Sequence, residues 1–175
     1  MAKPDPRRIV ILDTSKPLEN KILKDILSIN QEHVPMVGAL KNIKDLENLL
    51  KMSFLSAVTY NEGRITSFIV CLRENKEYKS LNYVYFSEMY KKFFYVDRIG
   101  VKKEHQNIGL GSLLYKKIDE INNKLKLPIC AEVNTKPYNK TSIQFHIKHG
   151  FKKIGEKSFS NEHEVAYFIK KGQIS

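Results

Sequence analysis

The sequence predicts one α/β domain built around a helix that joins two parallel strands. Three observations predict it. Over Leu110–Lys126, the residues Leu110, Leu113, Leu114, Ile118, Ile121 and Leu125 fall on one helical stripe and charge covers the other face. β-rich runs flank this helix at Phe93–Val101 and Ile129–Val133. A strand, helix and strand in that order need a crossover connection, which makes the two strands parallel. The length of 175 residues, with 42% apolar, suits a single domain over residues 1–175 and excludes wholesale disorder.

The other elements follow in chain order. Ile9–Asp13 is a short apolar run and the first candidate strand. Leu18, Ile22, Leu23, Ile26 and Leu27 recur at helical spacing over Leu18–Asn30, and the stretch from His33 through Pro35 to Gly38 breaks that helix. Leu40, Ile43, Leu46, Leu49 and Leu50 predict a second helix. Phe54–Tyr60 and Ile65–Leu72 are β-rich around Asn61-Glu62-Gly63, which reads as a hairpin. Arg73–Lys92 carries Tyr78, Tyr83, Tyr85, Phe86 and Tyr90 without a clear period; it reads as a long loop with room for one short helix. After the strand–helix–strand unit, Asn139 is placed to cap a helix running to His149, and Gly150 supplies the left-handed position beyond it. Phe151–Ser158 and Val165–Lys170 read as a closing hairpin, with His163 in the loop before the last strand.

Composition narrows the function classes. No run approaches the roughly 18 apolar residues of a membrane helix, so no membrane partner is expected. The start MAKPDPRRIV carries charge and two prolines where a secretory leader would be apolar, which predicts a cytoplasmic protein. Cys71 and Cys130 lie inside apolar runs and read as buried free thiols. The net charge of +11 attracts polyanions, but the lysines are spread along the chain and no nucleic-acid motif accompanies them. A solvated surface is the better reading of that charge. His33, His105, His149 and His163 share no metal-ligand spacing, so no metal site is expected.

The most informative stretch is Gln106-Asn107-Ile108-Gly109-Leu110-Gly111, which leads from a strand into the strongest helix. Its glycines permit close backbone approach, and the first helical amides sit at the positive end of the helix dipole, so the turn can hold phosphate. Ser112 adds a hydroxyl. A P-loop would need Gly-Lys-Ser/Thr, and a dinucleotide fingerprint would need glycine where Leu114 stands. Taken alone, such a turn also serves merely to change chain direction.

Its surroundings resemble more. Val101, then Gln106-x-x-Gly109-x-Gly111 and a leucine-rich helix, resembles the acetyl-CoA signature of the GNAT superfamily. Asn139-x-x-Ser142-x-x-Phe145-His146-x-x-His149-Gly150-Phe151 resembles its second signature. The element order agrees, so the resemblance covers nearly the whole chain. Tyr95-Val96-Asp97-Arg98 and Glu132-Val133-Asn134 are similar to motifs of a group of predicted bacterial and archaeal acetyltransferases.

The resemblance implies a mixed sheet of six to seven strands flanked by helices, and acyl transfer from acetyl-CoA to a primary amine by direct attack in a ternary complex. The acceptor is a small molecule or a protein amine; a homodimer is compatible with it. Backbone amides from Ile108 through Gly109, Leu110 and Gly111 to Ser112 would hold the CoA pyrophosphate, with Gln106 in the same motif. The backbone of Ile99 to Val101 would pair with the pantetheine arm, and Asn139 would contact that arm. Two departures stand out: Ile108 replaces a frequent Arg or Lys, with Lys102 or Lys103 able to compensate, and His146 replaces a tyrosine.

A lysine-like amine, with a pKa of about 10.4, is charged at neutral pH and needs a base. Glu132 is the first candidate, since it matches the glutamate of a Glu-Val pair used as base in ribosomal-protein N-terminal acetyltransferases. Its spacing to Asn139 is longer here, and a salt-bridged strand-edge glutamate is the other reading. Asp97 is the second candidate; an aspartate in an apolar run is costly to bury without a partner, and bonds to loop amides or a distant arginine are its alternative. Alternation puts Tyr95 on the face of Asp97 and Arg98 on the other. His146 is the candidate general acid, or else packs beneath CoA. Glu132 and His146 are expected to face one cleft, with a glutamine at 132 costing most at lower pH. Two rival readings of the chain are a non-catalytic CoA-binding regulatory module and, from charge alone, a nucleic-acid-binding protein.

Overall fold

The computed structural model describes residues 7–172, so most of the charged, proline-containing start on which the expectation of a cytoplasmic protein rests lies outside the described residues. The elements are β1 (Ile9–Ile11), α1 (Asn20–Glu32), α2 (Ile43–Met52), β2 (Leu55–Asn61), β3 (Arg64–Arg73), α3 (Leu81–Met89) and β4 (Phe94–Val101). A short 3-10 turn at Lys103–His105 follows, then α4 (Leu110–Leu125), β5 (Ile129–Lys136), α5 (Lys140–Lys148), β6 (Lys152–Ser160) and β7 (His163–Lys170). The strands form a seven-stranded sheet in the order β1-β2-β3-β4-β5-β7-β6. β4 and β5 run parallel, pairing Phe94 with Ile129 and Tyr95 with Cys130, as the helix between them requires. β2–β3, β5–β7 and β6–β7 are antiparallel, so the sheet is mixed.

By its contacts the chain divides into two compact units, Met1–Leu72 with Arg98–Lys117, and Arg73–Asp97 with Ile118–Ser175. In the first, α1 buries Leu23, Ile26 and Ile29 and α2 buries Leu46, Leu49 and Leu50, the inward positions of their periodic stripes. Asn42 caps α2 by accepting from Asp45 N at 3.0 Å. Asp25, buried on α1, is ionised by a two-pronged bond from Arg64 and a third from Ile65 N at 3.2 Å. Arg98 donates to Asn30 Oδ1 at 2.8 Å and to Gly38 O at 2.9 Å, which ties β4 to the turn after α1.

Gly100 is the tight point of this unit. A Cβ there would meet Phe68 Cε1 at 2.7 Å and Ile29 Cγ2 at 3.1 Å, both in the core. Gly100→Ala is therefore expected to lower stability by about 1–3 kcal/mol through overpacking. Urea unfolding checks this; an unchanged midpoint would contradict the packing.

In the second unit, the stretch read as a long loop with room for one short helix contains α3. Ser80 accepts from Tyr83 N at 3.4 Å at its start, and Tyr83 and Phe86 are buried. The helix escaped the periodicity because its outer face is also apolar: Leu81, Val84 and Met89 are 57%, 38% and 48% exposed. β5 continues past Val133 to Lys136, since Asn134 and Lys136 extend the ladder with Val165 and Glu164 of β7. Pairing with Ser160 of β6 makes His163 the first residue of β7 rather than part of a loop. Asn139 caps α5 by accepting from Ser142 N at 3.1 Å, and Gly150 takes φ +86° beyond it. Cys71 and Cys130 are buried free thiols.

Candidate active site

The open edge of β4 and the turn into α4 form the first candidate surface. Lys102 N donates to Thr66 O at 2.9 Å, so alternation turns the backbone of Gly100 toward β3 and that of Ile99 and Val101 toward the opposite edge. The register with β5 covers Phe94 and Tyr95, earlier in the strand. Val101 O accepts from His33 Nε2 at 2.7 Å, so that nitrogen carries the ring proton, and lies 3.4 Å from Gln106 Nε2.

The turn itself is exposed from Gln106 to Gly109, and Asn107 and Gly109 take left-handed φ values of 63° and 88°. Leu113 N donates to Gly109 O at 3.0 Å, the bond that opens the helical ladder, so the amides before it lie in the first turn. Those of Leu110, Gly111 and Ser112 point toward the end where the dipole is positive, which suits an anion. Ile108 is 49% exposed there. Lys102, one of the two lysines expected to compensate for it, is held 2.7 Å from Glu104.

The second surface is a carboxylate network in the other unit. The parallel register of Tyr95 with Cys130 puts Tyr95, Asp97, Cys130 and Glu132 on one face. Tyr95 Oη donates to Glu132 at 2.9 and 2.8 Å from its two oxygens. Glu132 pairs across the ladder with Tyr167, whose hydroxyl donates to Asn82 Oδ1 at 3.0 Å. With its oxygen so engaged, Asn82 is left with its amide NH2 to turn toward Glu132, where it favours the charged carboxylate. Around them pack the rings of Tyr83 and Phe86 on Tyr95, at 5.4 and 5.8 Å, and Tyr85 stacked on Tyr167 at 3.8 Å.

The electrostatics follow from this enclosure. Burial, and then the charge of Asp97, push the Glu132 carboxyl up to about 8, while the bonds from Tyr95 and Asn82 pull the other way. Burial and the Glu132 and Asp97 charges hold the Tyr95 hydroxyl well above its usual range, so it stays a donor. Cys130 beside them is buried, and burial followed by the Glu132 charge pushes its thiol up, which removes its thiolate and its nucleophilicity.

His146 lies elsewhere. Its Nδ1 is 2.8 Å from Ser142 O, and since a carbonyl only accepts, that nitrogen carries the proton. Its ring packs with Phe145, Phe151 and Phe168, with centroids 5.6, 5.2 and 5.9 Å away. Phe168 neighbours Tyr167 on β7 and so faces the opposite side of the sheet from Glu132. Glu132 and His146 therefore do not share one face, contrary to the sequence expectation. Burial lowers the imidazole to about 4, which leaves it neutral and committed to a carbonyl, a poor proton donor at neutral pH. No group of three or more His, Cys, Asp or Glu residues suited to a metal ion occurs among the described residues.

The family model described as Acetyltransferase (GNAT) family matches residues 25–151. The chain belongs to the GNAT acetyltransferase family. The match includes the turn into α4 and, of the second surface, Asn82, Tyr95, Asp97 and Glu132. Solved structures agree in fold. The ribosomal-protein-S18-alanine N-acetyltransferase from Escherichia coli has a TM-score of 0.66 and 14% identity, with 96% of each chain covered. NAA60 of Arabidopsis thaliana, in complex with a bisubstrate analogue, has a TM-score of 0.66 and 13% identity, covering 95% of this chain and 100% of the other. A NatC complex bound to Gag peptide and CoA has a TM-score of 0.63 and 13% identity, covering 93% and 98%. No curated protein sequence matches the chain.

As a GNAT N-acetyltransferase the protein transfers an acetyl group to nitrogen. No helix among the described residues is long and apolar enough to cross a membrane. Two participants in the Glu132 network escaped the sequence, Asn82 and Tyr167. Asn82 sits in the stretch without a period, and Tyr167 in an apolar strand where a buried aromatic is ordinary.

Proposed function

We propose that this GNAT enzyme moves acetyl from acetyl-CoA to a primary amine by direct attack in a ternary complex, with Glu132 as the base. The observation that carries this reading is the Glu132 carboxyl, bonded by Tyr95 and poised at about 8. We read residues 1–175 as one such domain, acting in the cytoplasm. The amides of Ile108 to Ser112 hold the CoA pyrophosphate, and the outward backbone of Ile99 and Val101 faces the pantetheine arm. CoA and bisubstrate ligands in the similar solved structures support that co-substrate, and a bound peptide supports an amine-bearing acceptor.

In this mechanism Glu132 takes one proton from the ammonium group. The neutral nitrogen attacks the thioester carbonyl, the carbon–sulfur bond breaks, and the departing sulfur takes the second proton to give free CoA. Glu132 then releases its proton to solvent. Asp97 acts through Glu132, since its negative charge raises the proton affinity of the neighbouring carboxylate. His146 serves as a neutral packing group that braces α5, the helix capped by Asn139.

The test is mass-spectrometric detection of acetylated product from the pure protein, acetyl-CoA and a panel of small amines and peptides with free N-termini. At least one acetylated amine is expected, with CoA release to match. Tight CoA binding without product from any of them would instead identify a non-catalytic binding module.

A further inference from the structure

We propose that Asn82 on α3 is a positioning residue for acyl transfer, linking Tyr167 to Glu132 and fixing the carboxylate against Tyr95. This rests on the reading of Glu132 as base. The geometry leaves Asn82 little freedom. The Tyr167 hydroxyl, 3.0 Å from Oδ1, decides which end of the amide faces Glu132. α3 itself is clamped. Tyr83 Oη donates to Arg73 O at 2.7 Å and accepts from Lys76 N at 3.0 Å, which fixes the approach to the helix. Tyr85 stacks on Tyr167 with planes 10° apart, and its hydroxyl would lie 2.8 Å from a Cβ at Gly155, so β6 admits it there because residue 155 is glycine.

The groups facing Glu132 come from every element around it. Asp97 and Tyr95 lie on β4, Cys130 on β5 itself, Tyr167 on β7 and Asn82 on α3. Burial and then Asp97 favour the protonated carboxyl, whereas Tyr95 and, to a smaller degree, Asn82 favour the carboxylate. An amide is a suitable residue for this position. It donates to the anion without adding charge that would cancel the base, and its oxygen accepts the fixing bond.

The experiment compares pH–rate profiles of the full-length wild type, Asn82→Ala, Tyr167→Phe, Glu132→Gln and the Asn82→Ala/Glu132→Gln pair, all with one amine. Asn82→Ala is expected to move the rising limb up by about half to one pH unit and to lower kcat several-fold at pH 7, with KM for acetyl-CoA unchanged. Tyr167→Phe, which keeps the ring and loses only the hydroxyl, should shift the limb in the same direction by less. Added to Glu132→Gln, the Asn82 change should have no further effect on the profile. If Glu132→Gln abolishes the limb while both other single variants keep it at the wild-type position, the role of Asn82 is overturned and the base stands. If Glu132→Gln keeps the limb, the base assignment itself has failed.

Discussion

Glu132→Gln should lower the rate of acetyl transfer by about 10²–10³-fold at pH 9 and by much less at pH 6. The sign comes from the carboxyl at about 8: below that value the wild-type group already carries its proton and cannot accept another. A freely solvated glutamate, ionised through the whole range, would put the loss at low pH, as the sequence suggested; enclosure by Tyr95, Asn82 and the α3 aromatics reverses that order. Stability should move the other way. The folded Glu132 holds its proton more tightly than the unfolded one, so its contribution is fully present below about pH 4 and is lost as pH rises through about 8. Glutamine keeps the shape and never ionises, so the variant should gain roughly 1–3 kcal/mol over wild type at pH 9. Slower catalysis together with a higher alkaline melting temperature would separate a lost base from misfolding. A variant with the wild-type pH–rate profile would remove Glu132 from the mechanism.

The phosphate turn should respond as strongly to charge. Gly109→Asp and Gly111→Asp are each expected to weaken CoA binding about 10–100-fold by calorimetry, since a carboxylate would stand beside the pyrophosphate. Gly109 has open space around its Cβ position but a φ of +88°, so strain alone also acts there. Gly109→Ala isolates that strain and should cost much less. Raising ionic strength should recover part of the loss in the aspartate variants, because the turn is exposed and its charges are screened. Unchanged affinity in both aspartate variants would move the pyrophosphate elsewhere.

Much of the fold was legible because hydrophobic contrast was strong. The stripe from Leu110 to Leu125, the glycine after His149 and the Asn61-Glu62-Gly63 turn each state a local geometry that packing then accepted. α3 was hidden since Leu81, Val84 and Met89 leave its outer face as apolar as its inner one. At the site, Glu132 could be singled out by its place after the α4 crossover, but its protonation could not. That depends on Asn82 and Tyr167, distant in sequence and joined only once β7 pairs with β5. His146 occupies its signature position, and its bond to the Ser142 carbonyl and three phenylalanine rings favour the packing alternative over the general-acid one.

Direct attack on the thioester requires that no acetyl group rest on the protein. Cys130, the thiol beside Glu132, is buried and held protonated. The decisive measurement is the intact mass of the enzyme after incubation with acetyl-CoA in the absence of any amine, with free CoA measured in parallel. The ternary-complex account predicts an unmodified chain and no burst of CoA. A stoichiometric acetyl-enzyme that passes its acetyl group to added amine would contradict it.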